Sequence, residues 1–187
     1  ALFGCDAVDS PAMDASRKTP LGPEALLELV GDIYEGPLEA EPWRSFAERL
    51  RTVLAARNVA ITLHHPQGPV GDTYVLAQEA DDATDWEAVE KVYREQFMHD
   101  DPARLELMRP GEILEIGAGS ASPEERDFRA SLDIGNCLRT SFAEPGGMRC
   151  WIDVVRPLRS AAPFDAADTD LLRTLYPHLE RSLRLYA

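Results

Sequence analysis

The feature that most constrains the fold is a pair of strand–turn–strand signals. The later one comprises two apolar runs, 137–143 and 148–155, on either side of Pro145-Gly146-Gly147. The earlier one joins 59–64 to 73–78 through a loop rich in glycine and proline. Short β-branched runs around such turn residues are typical of β-hairpins. The sequence therefore predicts two antiparallel hairpins.

Helical periodicity surrounds these hairpins, and a fifth strand is predicted at 112–116 between two of the helices. Two helices are predicted early in the chain, one at 23–34 and one from Pro42 to about Asn58. Two more begin at capping boxes, one formed by Thr84 and Glu87 and the other by Ser122 and Glu125. The last helix is predicted to begin at Asp165 or Ala166. This order predicts an α+β fold, in which one five-stranded antiparallel sheet is flanked by helices. That arrangement is the α/β/α sandwich shared by GAF and PAS domains.

Length and charge limit the classes of protein that this chain can represent. Its 187 residues suit one domain, which we expect at 21–187, with 1–20 disordered or foreign to the native protein. The net charge is −14, whereas a DNA-binding surface needs clustered Lys and Arg. No apolar run approaches the roughly 20 residues of a membrane span, and no signal peptide is visible. We therefore expect a cytoplasmic chain that binds neither DNA nor membranes by itself.

The sequence carries no motif for catalysis, for a metal or for a cofactor. Cys5, Cys137 and Cys150 lack the spacing of a metal site and are interpreted as free thiols. His64-His65 would point to opposite faces of a strand, and His99-Asp100-Asp101 is interpreted as an acidic helix end. No nucleophile signature, phosphate-binding loop or dinucleotide fingerprint is present. We expect a non-enzymatic protein without metal or cofactor.

Candidate binding residues lie on one predicted helix and on the later hairpin. Trp86, Tyr93 and Phe97 fall roughly on one side of that helix, and Asp101 follows it. Aromatic side chains with a polar group often line small-molecule pockets, although the same pattern also serves helix-to-sheet packing.

The later hairpin adds Arg139 and Trp151 to the candidate ligand-binding residues. Trp151 shares a strand face with Asp153, and Arg139 lies on the partner strand. Burying Arg139 and Asp153 would be costly unless they met a polar ligand or each other.

The final helix repeats leucine in heptad spacing. Leu172, Leu175 and Leu179 fit either a dimer seam or a stripe that faces the core. We assign these three leucines to dimerisation and expect a homodimer.

Several stretches in a fixed order resemble the N-terminal sensory region of LuxR-type bacterial transcriptional regulators. They are Trp86 with Tyr93 and Asp101-Pro102, Pro110-Gly111-Glu112, Phe164-Asp165-Ala166-Ala167-Asp168 with Leu171-Leu172, and Leu175-Tyr176-Pro177-His178-Leu179 with Leu183. The likeness runs from about Pro23 to Tyr186. It implies a ligand pocket between the sheet and one helical layer, a linker helix at the end of 21–187, and a C-terminal DNA-binding domain beyond Ala187.

The resemblance also implies roles for single residues. In the acyl-homoserine-lactone receptors of this family a Trp, a Tyr and the Asp of an Asp-Pro pair contact the ligand, and Trp86 and Asp101 match two of them. Glu90 stands one helical turn after Trp86, where those receptors have the Tyr, and the strand at 112–116 has no Trp. These departures favour a different small molecule as the ligand.

The sequence therefore favours a small-molecule sensor domain of a LuxR-type regulator. Two alternatives stay open: a stand-alone GAF-like metabolite-binding protein or small enzyme, and a dimerisation module whose core is filled.

Overall fold

In a computed structural model, which describes residues 21–66, 73–97, 107–117, 122–159 and 163–187, five strands form one sheet with helices on both faces. The elements are α1 (Pro23–Glu35), a short 3-10 helix (Gly36–Leu38), α2 (Arg44–Val53), β1 (Asn58–His64), β2 (Thr73–Gln78), α3 (Trp86–Gln96), β3 (Ile113–Ile116), α4 (Pro123–Ser131), β4 (Ile134–Ala143), β5 (Arg149–Pro157) and α5 (Ala166–Tyr186). This architecture confirms the predicted α+β fold.

The strands are ordered β2-β1-β5-β4-β3, and every neighbouring pair is antiparallel. Both predicted hairpins are present, β1 with β2 and β4 with β5. The two hairpins join through β1 and β5, where Ile61 lies opposite Ile152. The first strand of the earlier hairpin thus lies beside the last strand of the later hairpin, in the middle of one continuous sheet.

One face of this sheet, the core face, packs against α2 and α5, and α1 packs against these two helices. Alternate strand residues point to it, because successive side chains in a strand face opposite sides. The core face comprises Val59, Ile61, Leu63, Val75, Ala77, Leu138, Phe142, Cys150, Ile152 and Val154. The helices cover it with buried apolar side chains such as Leu29, Phe46 and Leu50.

The leucines of α5 belong to this core. Leu172, Leu175 and Leu179 are only 1%, 0% and 2% exposed within a single chain. The assignment of these three side chains to a dimer seam is therefore wrong, since they are already covered by the sheet and the other helices. The heptad spacing in this helix marks its core-facing stripe.

A buried arginine fixes where α5 begins. Arg156 of β5 donates to the Leu54 carbonyl from Nε (3.1 Å) and Nη2 (2.8 Å), and Nη2 also lies 2.8 Å from an Asp168 carboxylate oxygen. Asp165 and Asp168 form a reciprocal capping box on α5. The prediction that α5 begins at Asp165 or Ala166 is confirmed.

The bounds of α2 differ from the prediction. The helix begins at Arg44, because Trp43 adopts a left-handed backbone conformation (φ 61°), and it ends at Val53, shortly before Ala55 (φ 48°). Asn58 is the first residue of β1 and does not end a helix.

The two predicted capping boxes also have different outcomes. Ser122 caps α4, and its side chain accepts from the Glu125 backbone N–H at 3.1 Å. In α3 the cap is Asp85 and not Thr84, with the Asp85 carboxylate accepting from the Ala88 N–H at 3.1 Å.

Candidate binding cavity

The opposite side of the sheet, the cavity face, is covered by α3 and α4 and is not fully filled. Because side chains alternate along β1, Asn58 and Ala60 point to this face while Val59 and Ile61 point to the core. The cavity between the sheet and the two helices has a volume of about 80 Å³, measured as the space open to the centres of water-sized molecules, and it lies within an open depression of about 630 Å³ that includes solvent. It is lined by Asn58, Ala60, Tyr74, Trp86, Val89, Tyr93, Ile116, Phe128, Arg129, Ile134, Cys137, Arg139, Asp153 and Val155.

An arginine immediately before β1 holds both helices over the sheet. Arg57 donates to Asp82 from Nε (2.9 Å) and Nη2 (3.1 Å), and to Thr84 Oγ1 (3.1 Å). Its guanidinium lies 5.1 Å from the centre of the Trp86 ring at the start of α3. Its Nη1 donates to the Leu132 carbonyl at the end of α4. One side chain thus ties α3 and α4 to the same end of the sheet.

Trp86 lines the cavity with its ring, while its indole N–H is used elsewhere. That N–H donates to the Asp82 carboxylate at 3.1 Å, and the residue is 6% exposed. Burial alone would raise the pKa of Asp82, but hydrogen bonds from Thr84, Arg57 and Trp86 outweigh it and lower the pKa to about 2. Trp86 therefore offers the cavity apolar area, and Asp82 stays ionised to hold it.

Arg139 and Asp153 lie directly opposite each other on β4 and β5. Arg139 donates from Nε and Nη2 to the two carboxylate oxygens of Asp153, at 2.7 and 2.9 Å. Burial disfavours the charge of Arg139, yet the Asp153 carboxylate outweighs it and raises the pKa of Arg139. The two side chains meet each other, as the sequence required of a buried pair.

Two further polar residues line the cavity, and neither is among the ligand-binding residues predicted from the sequence. Asn58 is 2% exposed and Arg129 is 8% exposed. Among the described residues, the Asn58 Nδ2 and the Arg129 Nη1 have no hydrogen-bond partner. The sequence does carry a signal for Asn58, because it is out of phase with the core-facing residues Val59 and Ile61 of β1. The prediction of Asn58 as a helix end hides that signal. Arg129 gives no such signal, because arginines on α4 look alike in sequence.

The remaining candidates of the aromatic helix pack against one another. Tyr93 lines the cavity. Phe97 follows α3 and lies 5.1 Å, ring centre to ring centre, from Phe128 of α4 and 6.4 Å from Tyr93. Phe97 thus packs between Tyr93 of α3 and Phe128 of α4.

Trp151 and Asp101 stand apart from the described cavity. Trp151 is on the cavity face of β5, two residues from Asp153, but it packs against Met108 and is not among the lining residues. Asp101 lies outside the described residues, and so does the His99-Asp100-Asp101 stretch.

Within the described ranges, no three or more His, Cys, Asp or Glu side chains come together in a way that could hold a metal ion. In the same ranges, no helix is both long enough and apolar enough to cross a membrane.

No family profile and no curated protein matches this chain by sequence. Solved structures do match its fold. The N-acylhomoserine lactone dependent LuxR family transcription factor CepR2 of Burkholderia cenocepacia is 15% identical with a TM-score of 0.55, over 86% of this chain and 94% of that one. Escherichia coli SdiA is 13% identical with a TM-score of 0.53, over 87% of this chain and 64% of that one.

A GAF domain matches as well. The phycocyanobilin-bound GAF domain of a cyanobacterial phytochrome is 9% identical with a TM-score of 0.61, over 90% of this chain and 97% of that domain. At such identities the similarity concerns the fold alone. The chain has the five-stranded sheet with flanking helices that these GAF and LuxR-family structures share.

Proposed function

We propose that this chain is a non-enzymatic sensor domain of a cytoplasmic LuxR-type transcriptional regulator and that it binds a small molecule in the cavity. The observation that carries the proposal is the cavity itself. It combines apolar surface with a few buried polar groups, which is the usual composition of a small-molecule site. The rival interpretation as a filled dimerisation module does not account for this space.

The fold neighbours support the same proposal. CepR2 is described as dependent on N-acylhomoserine lactone, and the phytochrome GAF domain is described with bound phycocyanobilin. We extend from these neighbours only the general use of the fold, which is to hold a small molecule. The departures at Glu90 and in β3 favour a ligand other than an acyl-homoserine lactone.

Binding accounts for the charged lining better than catalysis does. Arg139 is engaged by Asp153, and Arg129 is engaged by Glu125, whose Oε1 lies 2.6 Å from Arg129 Nη2. A general acid or base must exchange a proton with substrate, whereas each of these carboxylates is held against an arginine. Asp101 stays in the proposal as an acceptor for a ligand N–H or O–H, on the strength of the resemblance alone.

Thermal unfolding with fractionated extracts of the source organism tests the proposal. Ala60 is 8% exposed and lines the cavity, so Ala60→Phe should fill it. Ala130 lies exposed on α4 and Ala130→Phe serves as the matched control. An active fraction should stabilise wild type and Ala130→Phe, by about 2.7 kcal/mol at a hundredfold excess over Kd, and leave Ala60→Phe unchanged. Equal stabilisation of all three proteins would show that the ligand does not bind in the cavity.

The regulator role has its own test. The native gene should encode a basic helix-turn-helix region downstream of Ala187, and a stand-alone binding protein should not. The 187-residue chain itself, with its net charge of −14, should give no shifted band with promoter DNA at low salt. A specific shift by this chain would contradict the proposal.

A homodimer stays a prediction, and light scattering tests it. Any dimer must use a surface other than Leu172, Leu175 and Leu179, because these side chains are buried within one chain.

A further inference from the structure

Among the described residues, three buried side-chain donors lack an acceptor, and two of them belong to residues that line the cavity. These two are the Nδ2 of Asn58 and the Nη1 of Arg129, and the third is the Nε of Arg51, outside the cavity. Asn58 is 2% exposed and Arg129 is 8% exposed as whole residues. A buried donor without an acceptor is destabilising, and such donors are uncommon in folded proteins. Two of them lining one cavity indicate that a bound molecule supplies the acceptor.

Hydrogen bonds connect the two elements that carry these residues. Arg57 directly precedes Asn58, and its Nη1 donates to the carbonyl of Leu132. The Leu132 N–H in turn donates to the Arg129 carbonyl at 3.2 Å. The last turn of α4, which carries Arg129, is therefore fastened to the beginning of β1, which carries Asn58.

Among the described residues, the charged side chains of the cavity are paired with each other or with a neighbour. Glu125 Oε1 accepts from Arg129 Nε at 2.8 Å and lies 2.6 Å from Nη2. Arg139 and Asp153 form the other pair. An anionic ligand would add an uncompensated charge to a buried site, which is costly. What the site lacks is a hydrogen-bond acceptor without charge.

We propose that Asn58 and Arg129 form a subsite that binds the uncharged carbonyl oxygen of a small, largely apolar molecule. The proposal rests on the proposed function and specifies the class of ligand. Val155 lies opposite Asn58 in the sheet register, and Ala60 follows on the same face of β1. These side chains supply apolar surface beside the two donors.

Three probes with the same pentyl tail test the ligand class: pentyl methyl ketone, hexanoate and hexylamine. Their binding to wild type is measured by calorimetry at millimolar concentrations. The ketone should bind, hexanoate should bind more weakly, and hexylamine should not bind. Tighter binding of hexanoate or hexylamine than of the ketone, or no binding of the ketone, would overturn the proposal.

Variants then test the two residues. Asn58→Leu removes the amide in a side chain of similar size and should weaken ketone binding about tenfold. Asn136→Leu makes the same change at a half-buried position of β4 outside the cavity and should leave the affinity unchanged. Unchanged ketone affinity in Asn58→Leu would overturn the subsite.

Arg129→Lys keeps a positive charge beside Glu125 but loses the planar guanidinium. It should weaken ketone binding several-fold, and Arg126→Lys, exposed on the same helix, should not. If both lysine variants bind like wild type, Arg129 does not contact the carbonyl.

The extract experiment separates this subsite from the cavity as a whole. An active fraction that stabilises wild type and Asn58→Leu equally, but not Ala60→Phe, would show a binding cavity without this subsite. A fraction that stabilises none of the variants or wild type would instead count against the proposed function.

Discussion

The two faces of the sheet differ in the chemistry of their side chains and in what covers them. On the core face, apolar residues of alternate strand positions meet α2 and α5, against which α1 packs, and many of these strand residues are completely buried. On the cavity face, the same strands present Asn58, Arg139 and Asp153 toward the cavity. The β1 strand shows the contrast within two residues, since Val59 is in the core and Asn58 lines the cavity.

This contrast divides stability and binding between the two sides of one sheet. Burying apolar area on the core face is what holds the fold together. The polar residues of the cavity face cost free energy unless a partner meets them, as Arg139 and Asp153 meet each other. Substitutions on the two faces should therefore differ in size and even in sign.

The largest effect is expected in the centre of the core face. Leu175→Ala removes a side chain that is 0% exposed and leaves a cavity, so the free energy of unfolding should fall by about 3–5 kcal/mol in urea denaturation. Leu185→Ala, on the same helix but 69% exposed, should change it by no more than about 0.5 kcal/mol. A Leu175→Ala protein as stable as Leu185→Ala would show that α5 does not pack on the sheet.

Breaking the ion pair on the cavity face should have the next largest effect. Arg139→Met leaves the carboxylate of Asp153 without its bidentate partner. Because the Asp153 side chain is 23% exposed, we expect a loss of about 2–3 kcal/mol, below the range for a fully buried pair. The double variant Arg139→Met with Asp153→Leu should recover most of that loss. A double variant no more stable than the single one would contradict this account.

Asp82 should make stability depend on pH at the acidic end. Its pKa of about 2 in the folded chain lies below the ordinary value of 3.8. The unfolded chain therefore takes up the proton first, and the stabilisation is present above about pH 4 and is lost as the pH falls toward about 2. We expect a contribution of about 1–2 kcal/mol.

The control for this pH effect is Asp82→Asn, which keeps the shape but cannot ionise. Unfolding in urea at a series of pH values should show a smaller acid-induced loss for Asp82→Asn than for wild type. Parallel curves for the two proteins would contradict the role of Asp82 in holding Arg57 and Trp86.

The smallest effect should have the opposite sign. Asn58→Leu removes a buried amide whose Nδ2 has no acceptor among the described residues, so the ligand-free protein should gain about 1 kcal/mol. Asn136→Leu, outside the cavity, should stay within about 0.5 kcal/mol of wild type. Destabilisation by Asn58→Leu in urea denaturation would mean that the amide already has a partner in the folded chain.

Local signals predicted much of the fold from the sequence. Turn residues such as Gly147, which adopts a positive φ of 105°, marked the later hairpin correctly. The register of that hairpin also placed Arg139 near Asp153. The pairing of β1 with β5 joins distant parts of the chain, and no local pattern specifies it.

The site was harder to predict than the fold, for physical reasons. A heptad of leucines has the same spacing whether it faces a core or a second chain, so Leu175 could not be assigned by periodicity. The helical stripe before Asn58 predicts this residue as a helix end, whereas the left-handed residue Ala55 ends that segment earlier. Which polar side chains line one cavity depends on the tertiary arrangement of β1 and α4.

The central claim is that the cavity face binds a small molecule while the core face does not. Backbone amide NMR of the wild-type chain, titrated with pentyl methyl ketone, tests it most directly. We predict shift changes concentrated at Asn58, Ala60 and Arg129, with α1, α2 and the core-facing stripe of α5 nearly unchanged. Shift changes centred on α1 and α5, with β1 and α4 unaffected, would contradict the account.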